Sequence, residues 1–329
     1  MSKIIKSLAD KIDEEITPVT GRNSLEKVVL ADIPVHPNVG DDAITLGELT
    51  FLRKHHKNIK VSAFPYNLLS TQIYGLLEQA DTIFLHGGGN FGDIWPHHHN
   101  VRLEILDSFP NKNIVQFPQS IHFSDKVALE KTRRSVAKAR NFTLFVRDKR
   151  SYSFAKAEFN CDVRLCPDIV FSLGEKEPKA PQVQFECLLR TDKEIREEKS
   201  DAVQRVLRNK QHSFEVNDWL ENSFWEKRYL NVWNILRHSI SSRLLVKHGM
   251  PLLESYATSR VNYGLRTLSR GEAVVTDRLH GYILSTLLGR KRYVFDSYDG
   301  KIRAFHDTWL SEDPSAIFCN SVEEFNSKI

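Results

Sequence analysis

Short apolar runs, each closed by a polar turn and followed by a helix-like segment, recur along the first half of this chain. They are Lys27-Val28-Val29-Leu30, residues 60–64, Asp81-Thr82-Ile83-Phe84-Leu85, Asn113 to Phe117, Thr143 to Val146 and Val163-Arg164-Leu165. Strands buried on both faces read as such runs, and helices between them require crossover connections, so the pattern predicts a parallel sheet covered by helices on both faces. All strand ends of one sense then lie on one edge, where open α/β sheets bind ligands. The turns expected there carry Asp41, the run Gly87-Gly88-Gly89-Asn90, His122 and Arg147. Asp41 or Asp42 can cap the helix after the first strand. Asp41, one residue closer to the strand end, is the better placed to face a ligand. Three consecutive glycines after a strand let the backbone come close to a ligand and present its N–H groups.

The second half repeats the figure. Phe185 to Leu189 reads as a strand ending in Arg190, and Ala273-Val274-Val275 runs into Thr276-Asp277-Arg278-Leu279-His280 and then an apolar helix. This places a fixed cation, Arg278, and a titratable imidazole, His280, at a strand end, with Leu279 packing inward unless its backbone also meets the ligand. A chain of 329 residues suits two such units better than one. The charged, proline-containing stretch GEKEPKAP supplies the break. The expected organisation is a Rossmann-like domain over 1–173, a linker over 174–182 and a second Rossmann-like domain over 183–329, facing across a cleft.

Composition narrows the partners. A net charge of +4 argues against a general nucleic-acid binder and suits acidic small molecules or weak attraction to an anionic membrane. The four cysteines form no CxxC pair and are expected as free thiols. The N-terminus lacks the apolar core of a signal peptide and no apolar run is long enough to span a bilayer, so the expected location is cytoplasmic. Residues 224–247 alternate aromatic and basic side chains at helical spacing. They suit a core-facing helix with a solvated basic side, or a surface touching an anionic bilayer or a lipid-linked partner.

Familiar catalytic signatures are missing. The glycine run fits neither GxGxxG nor GxxxxGK[ST], and no GxSxG is present. His97-His98-His99 lacks the spacing of a metal site and is expected in a solvated loop, with one imidazole near the site. What remains at the strand ends is Arg147, Arg190 and Arg278 with His122 and His280. Guanidinium forks bind carboxylate and phosphate in bidentate fashion, and histidine moves protons near neutral pH.

The segments NVGDDAI, FLHGGGNFGDIWP, QFPQSIHF, FVRDKRSY, CPDIVFSL and VTDRLHGYILSTLLGRKRYVFDSYDGK, then FHDTWL, together resemble the polysaccharide pyruvyl transferase family, its bacterial exopolysaccharide members above all. The resemblance covers residues 26–175 and 271–310 in order. It implies two Rossmann-like domains as in B-type glycosyltransferases, with the donor domain C-terminal. It also implies transfer of pyruvate from phosphoenolpyruvate to a sugar as a ketal, with no metal or other cofactor. It places the donor near Arg278, Leu279 and His280. It marks Arg147 and His122 as further site positions, and leaves His280 as the acid and His122 or Asp41 as the base. A lipid-linked acceptor at the inner membrane face is compatible with it. A nucleotide-sugar glycosyltransferase on the same fold, or a non-catalytic binder of acidic saccharides, are the competing expectations.

Overall fold

The computed structural model describes residues 2–20, 25–34, 38–69, 71–190, 197–219 and 242–329. The basic aromatic segment 224–247 falls outside them, save for the backbone of its last turn. Two all-parallel sheets organise the chain. The first contains β1 (Lys27–Ile33), β2 (Lys60–Pro65), β3 (Thr82–Leu85), β4 (Gly88–Gly92), β5 (Asn113–His122), β6 (Asn141–Val146) and β7 (Asp162–Leu165). Its order is β2-β1-β3-β5-β6-β7, with β4 paired to the far half of β5. The second contains β8 (Val183–Leu188), β9 (Phe214–Asn217), β10 (Gly271–Thr276), β11 (Lys291–Phe295) and β12 (Ala316–Cys319), ordered β9-β8-β10-β11-β12. Each sheet therefore reverses its winding once, between β1 and β3 in the first and between β8 and β10 in the second. Such reversal points open a crevice at the strands' carboxyl ends.

Helices α1 (Lys3–Thr20), α2 (Val39–His55), α3 (Thr71–Gln79), α4 (Pro96–Ser108), α5 (Lys126–Lys138) and α6 (Lys149–Glu158) accompany the first sheet, and α7 (Glu197–Asn209) begins the set of the second. α8 (Ser242–Ser269), α9 (Leu279–Leu287), α10 (Lys301–Trp309) and α11 (Val322–Lys328) complete it. α1 buries Ile5, Leu8, Ile12 and Ile16 at the three- and four-residue spacing of one helix face. The halves are not insulated from each other. α8 lies along α2, and one continuous core joins Val28, Leu30 and Ile44 of the first layer to Leu188, Val274 and Leu284 of the second. Among the described residues, no helix is long and apolar enough to cross a membrane.

Four local expectations are corrected. Asn38, not Asp41 or Asp42, caps α2: its extended backbone lets Oδ1 accept the Gly40 N–H at 3.0 Å, one turn earlier than expected. The glycine run 87–89 is not all loop, because Gly88 opens β4. Strand β5 does not stop at Phe117. Pro118 sits at an irregularity between Gln116 and Gln119, beyond which the strand resumes against β4 as far as His122. The three histidines are helical rather than looped. Pro96 opens α4, where its missing N–H costs nothing. That turns His98 and His99 inward, to Asp32 and to Thr132 Oγ1.

Candidate active site

A cavity of about 700 Å³ lies between the carboxyl edges of the two sheets. Among the described residues, four cations line it, Arg147, Arg190, Arg278 and Lys301, against two carboxylates, Asp41 and Asp277. Each stands just past a strand or in the first turn of the following helix, because that is where both sheets present their turns.

Arg147 follows β6 and is almost wholly buried. Its Nη1 donates to Asp168 Oδ2 at 2.6 Å and its Nε to Ser120 Oγ at 3.0 Å. Its carbonyl accepts Trp309 Nε1 at 2.8 Å from α10 of the other half. The Lys149 N–H to Thr308 Oγ1 (3.1 Å) and Arg150 Nη1 to the Asp299 carbonyl (2.7 Å) complete this seam. The start of α6 is thus fastened to the second sheet beside the cavity.

Asp168, after β7, lies behind the lining residues Arg147 and His280. Besides Arg147, it has His280 Nε2 at 3.6 Å from Oδ2. Burial alone would raise this carboxyl, but the His280 imidazole, the charge of Arg147 and the Val170 N–H outweigh it and hold the group well below the usual carboxylate range. At 3.6 Å the carboxylate faces the ring as an ion-pair contact rather than a hydrogen bond. His280 reaches Asp168 only because Gly40, in the first turn of α2, has no side chain. A Cβ there would stand 2.7 Å from His280 Cγ and closer still to Nδ1.

Arg278 is the N-cap of α9. Thr276 Oγ1 accepts its N–H at 3.1 Å and donates to the Leu188 carbonyl at 2.9 Å, fixing the turn to β8. Its Nη2 donates to Asp218 Oδ1 at 2.7 Å. Leu279 is the first helical residue, so its N–H and the next ones have no acceptor within the helix. That end of α9 favours a negative charge. Asp277 Oδ1 accepts the Arg190 N–H at 2.9 Å, which ties the strand-end arginine of β8 to the β10 turn. Burial pushes the Asp277 carboxyl up, against the pull of that N–H and of nearby cations.

The opposite wall comes from the first sheet. Gly89 and Asn90 line the cavity, whereas Gly87 and Gly88 lie beneath it against Ile44. A Cβ at Gly89 would stand 3.1 Å from Arg147 Nη2, so the missing side chain gives the guanidinium room. Buried polar groups brace this strand. Glu48 Oε1 accepts the Gly87 N–H at 2.8 Å, and Asn90 Oδ1 accepts Arg102 Nη2 at 2.6 Å and Gln119 Nε2 at 2.9 Å. His98 reaches the cavity with Nδ1 2.5 Å from Asp32 Oδ1, and Arg102 Nη2 is 2.6 Å from Asp32 Oδ2. Asp32 holds φ 65°, a left-handed conformation uncommon for a side-chain-bearing residue.

The structure therefore brings together Asp41, Gly89, Asn90, Arg147, Arg190, Arg278, Leu279 and His280. It leaves Gly87, Gly88 and His122 off the cavity lining. His122 is displaced because β5 runs on past Pro118, carrying it beyond the edge where the site lies. Of the histidine run, expected to bring one imidazole near the site, both His97 and His98 line the cavity, whereas Asp168, Gly40 and Lys301 are not among the residues expected from the sequence.

A sequence profile described as polysaccharide pyruvyl transferase matches residues 38–299, a span that holds every lining residue except Lys301. The chain belongs to the polysaccharide pyruvyl transferase family. A Bacillus subtilis protein, provisionally named as the pyruvyl transferase EpsO, is 32% identical over 295 residues, covering 88% of this chain and 87% of its own. Pyruvyl transferase 1 of Schizosaccharomyces pombe is 31% identical over 302 residues, covering 87% of this chain and 70% of its own. A crystal structure of an uncharacterised Klebsiella pneumoniae protein superposes over 98% of this chain and 100% of its own, with a TM-score of 0.59 and 16% identity, a likeness of fold alone. Membership of the polysaccharide pyruvyl transferase family makes the chain a transferase.

Proposed function

We propose that the protein moves the pyruvyl group of phosphoenolpyruvate onto two hydroxyls of one sugar, forming a ketal and releasing phosphate. The observation that carries this reading is the convergence of Arg147, Arg278, Lys301 and the start of α9 around His280, with Asp168 behind the ring. Such a set suits a small donor that carries both a carboxylate and a phosphate.

In this reading Arg147 and Arg278 hold the donor's two anionic ends, with Lys301 and the N–H groups at the start of α9 sharing the charge. The His280 imidazolium gives its proton to the methylene carbon, and positive charge develops at the carbon bearing phosphate. A sugar hydroxyl attacks that carbon and loses its proton to a base, for which Asp41 stands in the cavity wall. Phosphate then leaves with its C–O electron pair, and a second hydroxyl of the same sugar attacks the new cationic centre and loses its proton. One hydroxyl proton in effect replaces that given to the methyl group and the other goes to phosphate or solvent, so the sum balances. Phosphoenolpyruvate is a co-substrate here, and no metal or other cofactor takes part. The acceptor is a sugar of an exopolysaccharide or of its lipid-linked repeat unit. The basic aromatic stretch 224–247 supports work at the inner membrane face.

Incubation with ¹³C-labelled phosphoenolpyruvate and a saccharide panel tests the reading. A labelled, acid-labile ketal formed with an equal amount of phosphate is the expected product. Transfer of sugar from a nucleotide sugar, with phosphoenolpyruvate untouched, would replace it by a glycosyltransferase.

A further inference from the structure

The mouth of the cavity carries two aromatic side chains that the donor chemistry does not use. Trp95 is 53% exposed and Tyr298 is 62% exposed, and both line the cavity. Among the described residues, few large apolar side chains are exposed at all. They come from opposite halves: Trp95 from the turn between β4 and α4, Tyr298 from the turn between β11 and α10. Each is held by its backbone. Trp95 immediately precedes Pro96, the first residue of α4. Tyr298 sits in a turn where Ser297 Oγ donates to Asp299 Oδ1 at 2.6 Å and Gly300 takes φ 72° to cap α10. Asn38, Asp41 and Asn90 also line the cavity, beside the apolar Ile94 and Leu279. A cavity of about 700 Å³ also exceeds what a three-carbon phosphoacid fills, so room remains for a second substrate.

We infer that Trp95 and Tyr298 form a saccharide subsite at the cleft mouth, which takes the sugar ring next to the one that receives pyruvate. This rests on the transfer to a sugar proposed above and deepens it. A pyranose has apolar C–H faces and a polar rim. Its C–H face packs on an aromatic ring, which offers large contact area at little entropic cost. Asn38, Asp41 and Asn90 suit the hydroxyls of the reacting ring, whereas the exposed aromatics suit a ring with no hydroxyl to commit. The site therefore reads at least two consecutive sugars, one within and one at the mouth.

The test compares free mono- and disaccharides of hexoses and N-acetylhexosamines. Binding is measured by calorimetry without donor, and phosphate release from phosphoenolpyruvate is measured with it. Wild-type protein is expected to bind its preferred disaccharide about tenfold more tightly than the matching monosaccharide, and the preference should collapse in Trp95→Ala and Tyr298→Ala. The KM for phosphoenolpyruvate should stay within about twofold, since neither ring meets the donor. A preference that survives both substitutions, or a wild-type protein that binds no disaccharide better than a monosaccharide, overturns the inference. Disaccharide binding that depends on the two aromatics, with no phosphate released by wild type, would support the subsite and overturn the phosphoenolpyruvate reading instead.

Discussion

Gly40 makes room for His280: with any side chain at 40, the Cβ would stand 2.7 Å from His280 Cγ and 2.9 Å from its Cβ. A residue in the first turn of a helix from one half thus fixes the place of the imidazole from the other. Gly40→Ala isolates this contact. In an unobstructed helix the change would gain up to about 1 kcal/mol of helix propensity. Here the expected outcome is a displaced ring and a loss of turnover on the order of 10²-fold, the cost of a misplaced catalytic group. Steady-state kinetics with thermal unfolding checks it. Wild-type turnover in a stable Gly40→Ala protein would show that the ring's place does not depend on this contact.

Asp168 joins Arg147 to His280 from a nearly waterless position. Asp168→Asn leaves the Arg147 guanidinium without its buried counter-charge, which is expected to cost about 3–5 kcal/mol of stability. The sign with pH follows from the depressed carboxyl. Its folded pKa lies below the unfolded value near 3.9, so its stabilisation is complete above that value and is lost as pH falls through the folded one. Denaturant unfolding should therefore show wild type losing its advantage over Asp168→Asn as the medium is taken below about pH 4. A constant difference between the two proteins down to the acid limit would refute the assignment of the ion pair.

Trp309 ties α10 to the carbonyl of Arg147. Trp309→Phe keeps the ring and removes the donor. The loss should be about 1–3 kcal/mol, the cost of a carbonyl left without its partner. Because Arg147 is held through that carbonyl, the KM for phosphoenolpyruvate should rise with it. Lost stability with an unchanged KM would mean that the seam braces the fold without setting the donor site.

The repeated strand, turn and helix could be read from the sequence because parallel strands are buried on both faces and therefore stand out as unbroken apolar runs, such as Val28 to Leu30 and Ala273 to Val275. The site was legible only where chemistry and position coincide. Arg147, Arg278 and His280 stand directly past strand ends, and a strand end is visible from sequence. Asp168 stands past a strand end too, but a lone carboxylate there also serves as a cap, and it does cap the turn that follows by accepting the Val170 N–H. Its contact with His280 joins two sheets and has no local signature. Gly40 is hidden for the same reason. His122 was misplaced because Pro118 reads as the end of a strand, whereas the strand absorbs it at an irregularity and resumes. The histidine run misled in the opposite sense: adjacent residues on a helix point apart, so His98 turns to Asp32 and His99 to Thr132, while His97 stays exposed.

The central claim is that His280 moves the proton that starts pyruvyl transfer. It is tested most directly by phosphate release from phosphoenolpyruvate with a saccharide acceptor, measured for His280→Gln and wild type alongside donor affinity by calorimetry. Loss of a general acid is expected to lower turnover by about 10²–10⁴-fold while the donor still binds between Arg147 and Arg278. Turnover near that of wild type would contradict the account.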